Sequence, residues 1–351
     1  MVVRSILRMT TLLSLSQLLL IGLSLFAGQS QSAEYDVGDS NQGIVYAGDF
    51  LTLGVGARPL SMGGSFAAIA DDSTATYWNP AGLGQLTHPE LTFMQASING
   101  LDSYNFVNYI QPLSRQRAVG FSWLRVGVND IQQTTVKYPS QPVGPANRPT
   151  KKSTFSAGQN AFLCSYGQQF GELLIGLNLK LIYISTLKHF NAIGLGSDLG
   201  LLWKTSPDQS GQIAVGLVAQ DYFRTKLYWN TVPNSAALPS HSEAILPNFR
   251  FGVAYHQKIP FLKSRLALTV DTDSRHKFEL HYGGEYVFND LLSIRGGVLE
   301  KKGSFQTTRQ ITAGAGFRLA FVSGAAFAID YAFLGHDQLG NSSRVSLLLR
   351  L

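Results

Sequence analysis

Three shortages bound the answer. The 351-residue chain has one cysteine, Cys164, which excludes a disulfide framework and any metal site built from several thiolates. Only 14% of its residues are charged, against about 25% in soluble domains, so much of its surface is not built for water. Beyond residue 33 it has no apolar run of the roughly 18 residues that a spanning helix needs. The nearest run, 311–329, is interrupted by Arg318 and dominated by Gly and Ala. Clustered Lys/Arg stripes are also missing, so no nucleic-acid partner is expected.

What is present starts with an address. Arg4 and Arg8 precede an apolar stretch, Leu12 to Phe26, followed by small residues from Ala27 to Ala33. This is the layout of a secretory signal, with cleavage expected within 27–33. Losing the two arginines takes the formal charge from +6 to +4. An exported, apolar chain without spanning helices points to a closed β-barrel, the other structure that satisfies its backbone inside lipid.

Residues 90–351 read as fourteen alternating segments. Leu173, Ile175, Leu177, Leu179, Leu181 and Tyr183 share one face, opposite Gly176, Asn178 and Lys180. Phe249, Phe251, Val253 and Tyr255 oppose Asn248, Arg250, Gly252 and His256; Val345, Leu347, Leu349 and Leu351 oppose Arg344, Ser346 and Arg350. A period of two sends these sets to opposite sheet faces. The two long connections, 129–158 and 221–246, both follow odd-numbered strands, while 113–116, 170–171 and 287–290 are short. Outer-membrane barrels have this asymmetry, with short periplasmic turns and longer external loops. The expected fold is all-β: a 14-stranded antiparallel transmembrane barrel in the bacterial outer membrane, in contact with its lipid.

Residues 34–89 are too irregular for strands. The Ala-rich run 67–70 suggests short helices, and Asn79-Pro80 with Gly82 marks a turn or helix stop. An apolar, compact segment ahead of a barrel belongs in the lumen as a plug, or hatch. The run from Gly48 to Leu86 resembles the N-terminal signature of the PorV/PorQ family, related to FadL-type outer-membrane transporters of hydrophobic compounds. Gly56-Ala57-Arg58 with Met62-Gly63-Gly64, Ala70-Asp71-Asp72 and Asn79-Pro80-Ala81 carry the likeness. Leu351 departs from the usual terminal aromatic. The resemblance implies a hatch-filled lumen. It also implies an Asn-Pro-Ala segment beside an inward kink in the third strand, where apolar substrate leaves sideways into lipid. Gly120 and Gly127 are then the kink candidates, or else simply make room beside the plug.

Lumen-face charges are Lys180, Arg250, Asp271, Glu279, Glu285, Arg295, Arg318, Asp330 and Arg350. They form either a selectivity path or ion pairs holding plug to wall, because buried charges need partners. Arg58, Asp71 and Asp72 are the plug's candidates for such pairs. The seven histidines show no metal-ligand spacing, and no phosphate-binding loop or nucleophile motif occurs. No metal, cofactor or enzymatic activity is expected. Two functions fit: passive uptake of hydrophobic small molecules such as fatty acids, or a PorV-like role in type IX secretion. In the second, an exported protein is the cargo, and the loops 129–158 and 221–246 do the work.

Overall fold

The structure, a computed structural model, describes residues 48–98, 102–186, 190–208, 211–230, 241–275, 278–302, 307–321, 324–335 and 341–351. The expected signal segment 1–33 lies outside them. The strands are β1 Glu90–Ile98, β2 Asp102–Ser114, β3 Arg117–Thr135, β4 Thr150–Phe170, β5 Leu173–Ser185, β6 Asn191–Lys204, β7 Gln212–Gln220, β8 Lys226–Asn230, β9 His241–Ala244, β10 Asn248–Ile259, β11 Ser264–Asp273, β12 Glu279–Phe288, β13 Leu292–Lys302, β14 Thr307–Ala320, β15 Ala326–Leu334 and β16 Ser342–Arg350.

Alternation decides which way each side chain points, and here it is the reverse of a soluble protein. Along β5, Leu173, Ile175, Leu177, Leu179, Leu181 and Tyr183 are exposed, while Leu174, Asn178, Lys180 and Ile182 are buried. The same order holds in β16, where Val345 is exposed and Arg344 and Ser346 are buried. An outside of Leu, Val, Tyr and Phe around a polar inside suits lipid outside and a filled lumen within.

The sheet closes because β1 pairs antiparallel with β16 from Glu90↔Arg350 to Ser97↔Ser343, while β5 pairs with both β4 and β6. The ring has fourteen staves. β8 prolongs β7 along the same neighbour: β6 residue Leu199 meets Ala219 and Leu195 meets Lys226. Four residues on β6 therefore span seven on its partner, so this stave carries three extra residues at Asp221–Thr225. Asp221 and Arg224 there have positive φ. β9 stands in the same relation to β10, and β8 and β9 pair as a hairpin.

One expectation is corrected. The connection 129–158 is largely strand: β3 and β4 continue past the ring as a ribbon, from Val128↔Ala157 to Thr135↔Thr150, with register shifts after Val128 and Gln133. The segment 221–246 contains the β8–β9 hairpin. The ribbon's Gln132, Gln133, Lys151 and Lys152 lack the apolar alternation of a lipid-facing strand, which hid them. The pairing shows no break at the two glycines named for a kink in the third strand. β3 keeps continuous register from Arg117 through Val128 with β4, and from Ala118 through Val128 with β2, passing through both Gly120 and Gly127. Gly120 makes room, since a Cβ there would lie 2.6 Å from Ile110 Cδ1 and 3.0 Å from Thr76 Cγ2 of the plug.

A lipid-facing wall makes a direct prediction. Leu179 lies at the middle of β5 and is 59% exposed. Leu179→Arg should lower stability in lipid vesicles by about 2–4 kcal/mol, the cost of a cation near the bilayer midplane. Reversible urea unfolding measures it, and no change would take this face out of the membrane.

Candidate functional site

Residues 48–89 fill the ring. Gly54, Gly56, Gly63 and Gly64 adopt positive φ and break the segment into short pieces. α1 (Ala57–Ser61) and α2 (Ala75–Trp78) are helical, with short 3₁₀ segments at Asp49–Thr52 and Pro80–Gln85. Asn79 turns the chain between the last two. Its extended backbone is what a residue before proline adopts, and its side-chain oxygen caps the next turn by accepting from the Ala81 N–H at 3.1 Å.

So little regular structure leaves many backbone groups without helical partners, and lumen side chains supply them. Ser346 accepts from the Ala57 N–H at 2.7 Å, Thr312 from Gly63 at 2.9 Å, and Asp271 from both Phe66 and Ala67 at 2.8 Å. Asn108 and Asn178 donate to the carbonyls of Ser73 and Thr76 at 2.6 and 2.7 Å, and Asn79 Nδ2 to Ala67 and Leu201 at 2.8 and 3.0 Å. Close approach needs glycine on the wall. A Cβ at Gly176 would overlap the Pro80–Ala81 peptide, and one at Gly297 the Met62–Gly63 peptide. Asn79, Pro80 and Ala81 thus pack on β5 and β6, not beside a break in β3.

Most of the predicted charges are paired. Arg58 Nη1 donates to Asp71 at 2.5 Å and Asp72 at 2.9 Å, and Arg58 Nη2 to Glu285 at 2.7 Å. Arg295 joins Glu285 at 2.6 Å to Asp330 at 2.7 Å. Lys180 bridges Asp198 and Asp221, both at 2.7 Å. Arg250 pairs with Asp273 at 2.5 Å, Lys301 with Glu279 at 3.0 Å and Arg350 with Glu90 at 2.6 Å. Arg318 lines the lumen without an ion pair among the described residues.

The plug leaves a cavity on each side and these share no lining residue. The one at the long-loop end, about 250 Å³, is walled by Leu51, Leu53, Leu60, Trp78, Leu299 and Arg344 among others. The one at the short-turn end is about 420 Å³ and more polar. Arg344 is the unexpected residue. It is 3% exposed and lies over the Tyr104 ring at 5.6 Å, yet its Nε and Nη1 have no hydrogen-bond partner among the described residues. Arg250 Nη1, on the same cavity, is likewise unpartnered. Alternation in β16 put Arg344 inward, but no sequence signal says that it lacks a counter-charge.

No protein-family model matches the sequence. A UPF0164 protein of Treponema pallidum (strain Nichols) is 28% identical over 152 residues, 42% of this chain and 43% of that protein. The match thus spans less than half of that relative's length. The solved CymD monoaromatic hydrocarbon channel superposes with a TM-score of 0.55 over 85% of this chain and 97% of its own, at 13% identity. The toluene transporter TbuX of Ralstonia pickettii gives 0.51 over the same shares at 12% identity. At such identities the likeness is one of fold: a plugged, 14-stranded barrel.

The Arg58 cluster is the fastening between plug and wall. Among the described residues, Arg58→Met leaves the buried Asp72 without an ion-pair partner and Glu285 with Arg295 alone, and should destabilise the folded barrel by about 3 kcal/mol, read by denaturant unfolding in micelles. A variant as stable as the parent would contradict this fastening.

Proposed function

We propose that the protein lies in the outer membrane and takes up hydrophobic small molecules passively, with fatty acids as the favoured class. The long-loop cavity is where the ligand first rests. The observation that carries this reading is Arg344, a buried guanidinium with open donors beside Leu51, Leu53, Leu60, Trp78 and Leu299. An acyl chain covers the apolar side at roughly 25 cal/mol per Å² of surface removed from water. A carboxylate head meets the donors in charge-assisted hydrogen bonds. A neutral hydrocarbon would leave a buried cation unpaired, which is costly. The resemblance of Gly48–Leu86 to the PorV/PorQ family and its FadL-type relatives supports uptake of a hydrophobic molecule in general, as does the fold shared with a hydrocarbon channel and a toluene transporter.

The alternative, carriage of an exported protein, draws on the protruding β3–β4 ribbon and on the exposed Tyr222, Phe223 and Tyr228 beside the interrupted stave. Loss of a copurifying exported protein on deleting 136–149, with ligand binding intact, would favour it.

Equilibrium binding to the refolded protein tests the uptake reading. Arg344→Met should weaken dodecanoate binding about tenfold to a hundredfold, the worth of a charged hydrogen bond, and leave toluene binding unchanged. Equal dodecanoate affinity in parent and variant would overturn it.

A further inference from the structure

The larger cavity, at the short-turn end, plays no part in that reading. Seven Lys and Arg and five Asp and Glu line it. Its acids are already engaged. Asp71 is held by Arg58, Glu285 by Arg58 and Arg295, Asp330 by Arg295 and Asp290 by Arg265, and Asp208 also has a partner. Three cations are left over. Lys204 reaches the Gln85 amide oxygen, while Lys258 and Arg318 have no carboxylate partner among the described residues. Beside them lie the apolar Ile69 and Val287. The cavity therefore repeats the chemistry of the one above the plug: surplus cation next to apolar wall, in a volume of about 420 Å³, within the roughly 300–1,000 Å³ of small-molecule sites.

Among the described residues the β3 ladder is continuous at both glycines, and its register with β4 shifts only beyond Val128. The interruption at Asp221–Thr225 is stoppered by Lys180, Asp198 and Asp221, each at most 5% exposed and joined at 2.7 Å. An apolar molecule leaving there would have to pass a buried ion cluster, which its own surface cannot solvate.

We propose that the short-turn cavity is a second station for the same amphipathic anion, with Arg318 the principal donor to its head. This rests on the uptake reading for the ligand class.

The test is carboxyl NMR of [1-13C]dodecanoate bound to the full refolded protein in neutral maltoside micelles, which carry no competing anionic head group. The parent should show two bound carboxyl resonances. Arg344→Met should remove one and Arg318→Met the other, and Arg318→Lys, which keeps the charge, should retain both. Heat-modifiable gel mobility confirms that each variant is a folded barrel. A single bound resonance in the parent, lost in Arg344→Met, would overturn the second station and leave the first. Two resonances that survive Arg318→Met would also overturn it. Arg344→Met without effect, alongside loss of one signal in Arg318→Met, would uphold the second station and remove the first.

Discussion

The β1–β16 ladder is the pairing on which the rest of the molecule depends. A sheet in lipid cannot leave a row of N–H and C=O groups open, so Glu90–Ser97 must find Ser343–Arg350. Once the ring closes, alternation leaves no choice of side. The outer face is Leu, Tyr and Phe, and the inner face carries Asn, Asp, Arg, Thr and Gly together with apolar residues such as Tyr104, Leu124 and Leu174. The polar inside then needs a filling that can use it. A plug with two helices of five and four residues supplies unsatisfied backbone groups, and the lumen side chains supply their partners. Plug and wall each complete the hydrogen bonding of the other, which explains how an irregular segment can be largely buried.

Strand number, the sidedness of the turns and the presence of a plug were legible, because a period of two over ten residues is a strong signal and a long non-alternating, Gly- and Ala-rich segment is a clear departure from it. The ribbon of β3 and β4 was not, since a strand wet on both faces has no apolar period. Neither was the interrupted seventh stave. Its three extra residues, within Asp221–Thr225, look like any loop start until the pairing with β6 is known. Gly120 was ambiguous for a physical reason: glycine in a strand answers equally to a bend and to a neighbour pressing from inside, and here Thr76 presses.

The charged residues divide along the same line. Sequence places Glu285, Arg295 and Asp330 on the inner face, but pairing is a property of distance across strands. Arg58 collects Asp71, Asp72 and Glu285 from the plug and from β12. Against this background of satisfied pairs, Arg344 and Arg318 stand out, one above the plug and one below. A buried cation without a counter-charge, as at Arg344, is expensive to keep, and a ligand that supplies the missing anion offsets that cost.

Photo-crosslinking with a diazirine-bearing fatty acid, followed by mapping of the labelled residues, tests most directly whether the lumen holds such a ligand. The account predicts label on the plug and inner wall, at Leu51, Leu53, Trp78 and Leu299, abolished by excess dodecanoate. Label confined to outward residues such as Leu177 and Leu179 would mean that the fatty acid sees the protein only as part of the bilayer, and would contradict it.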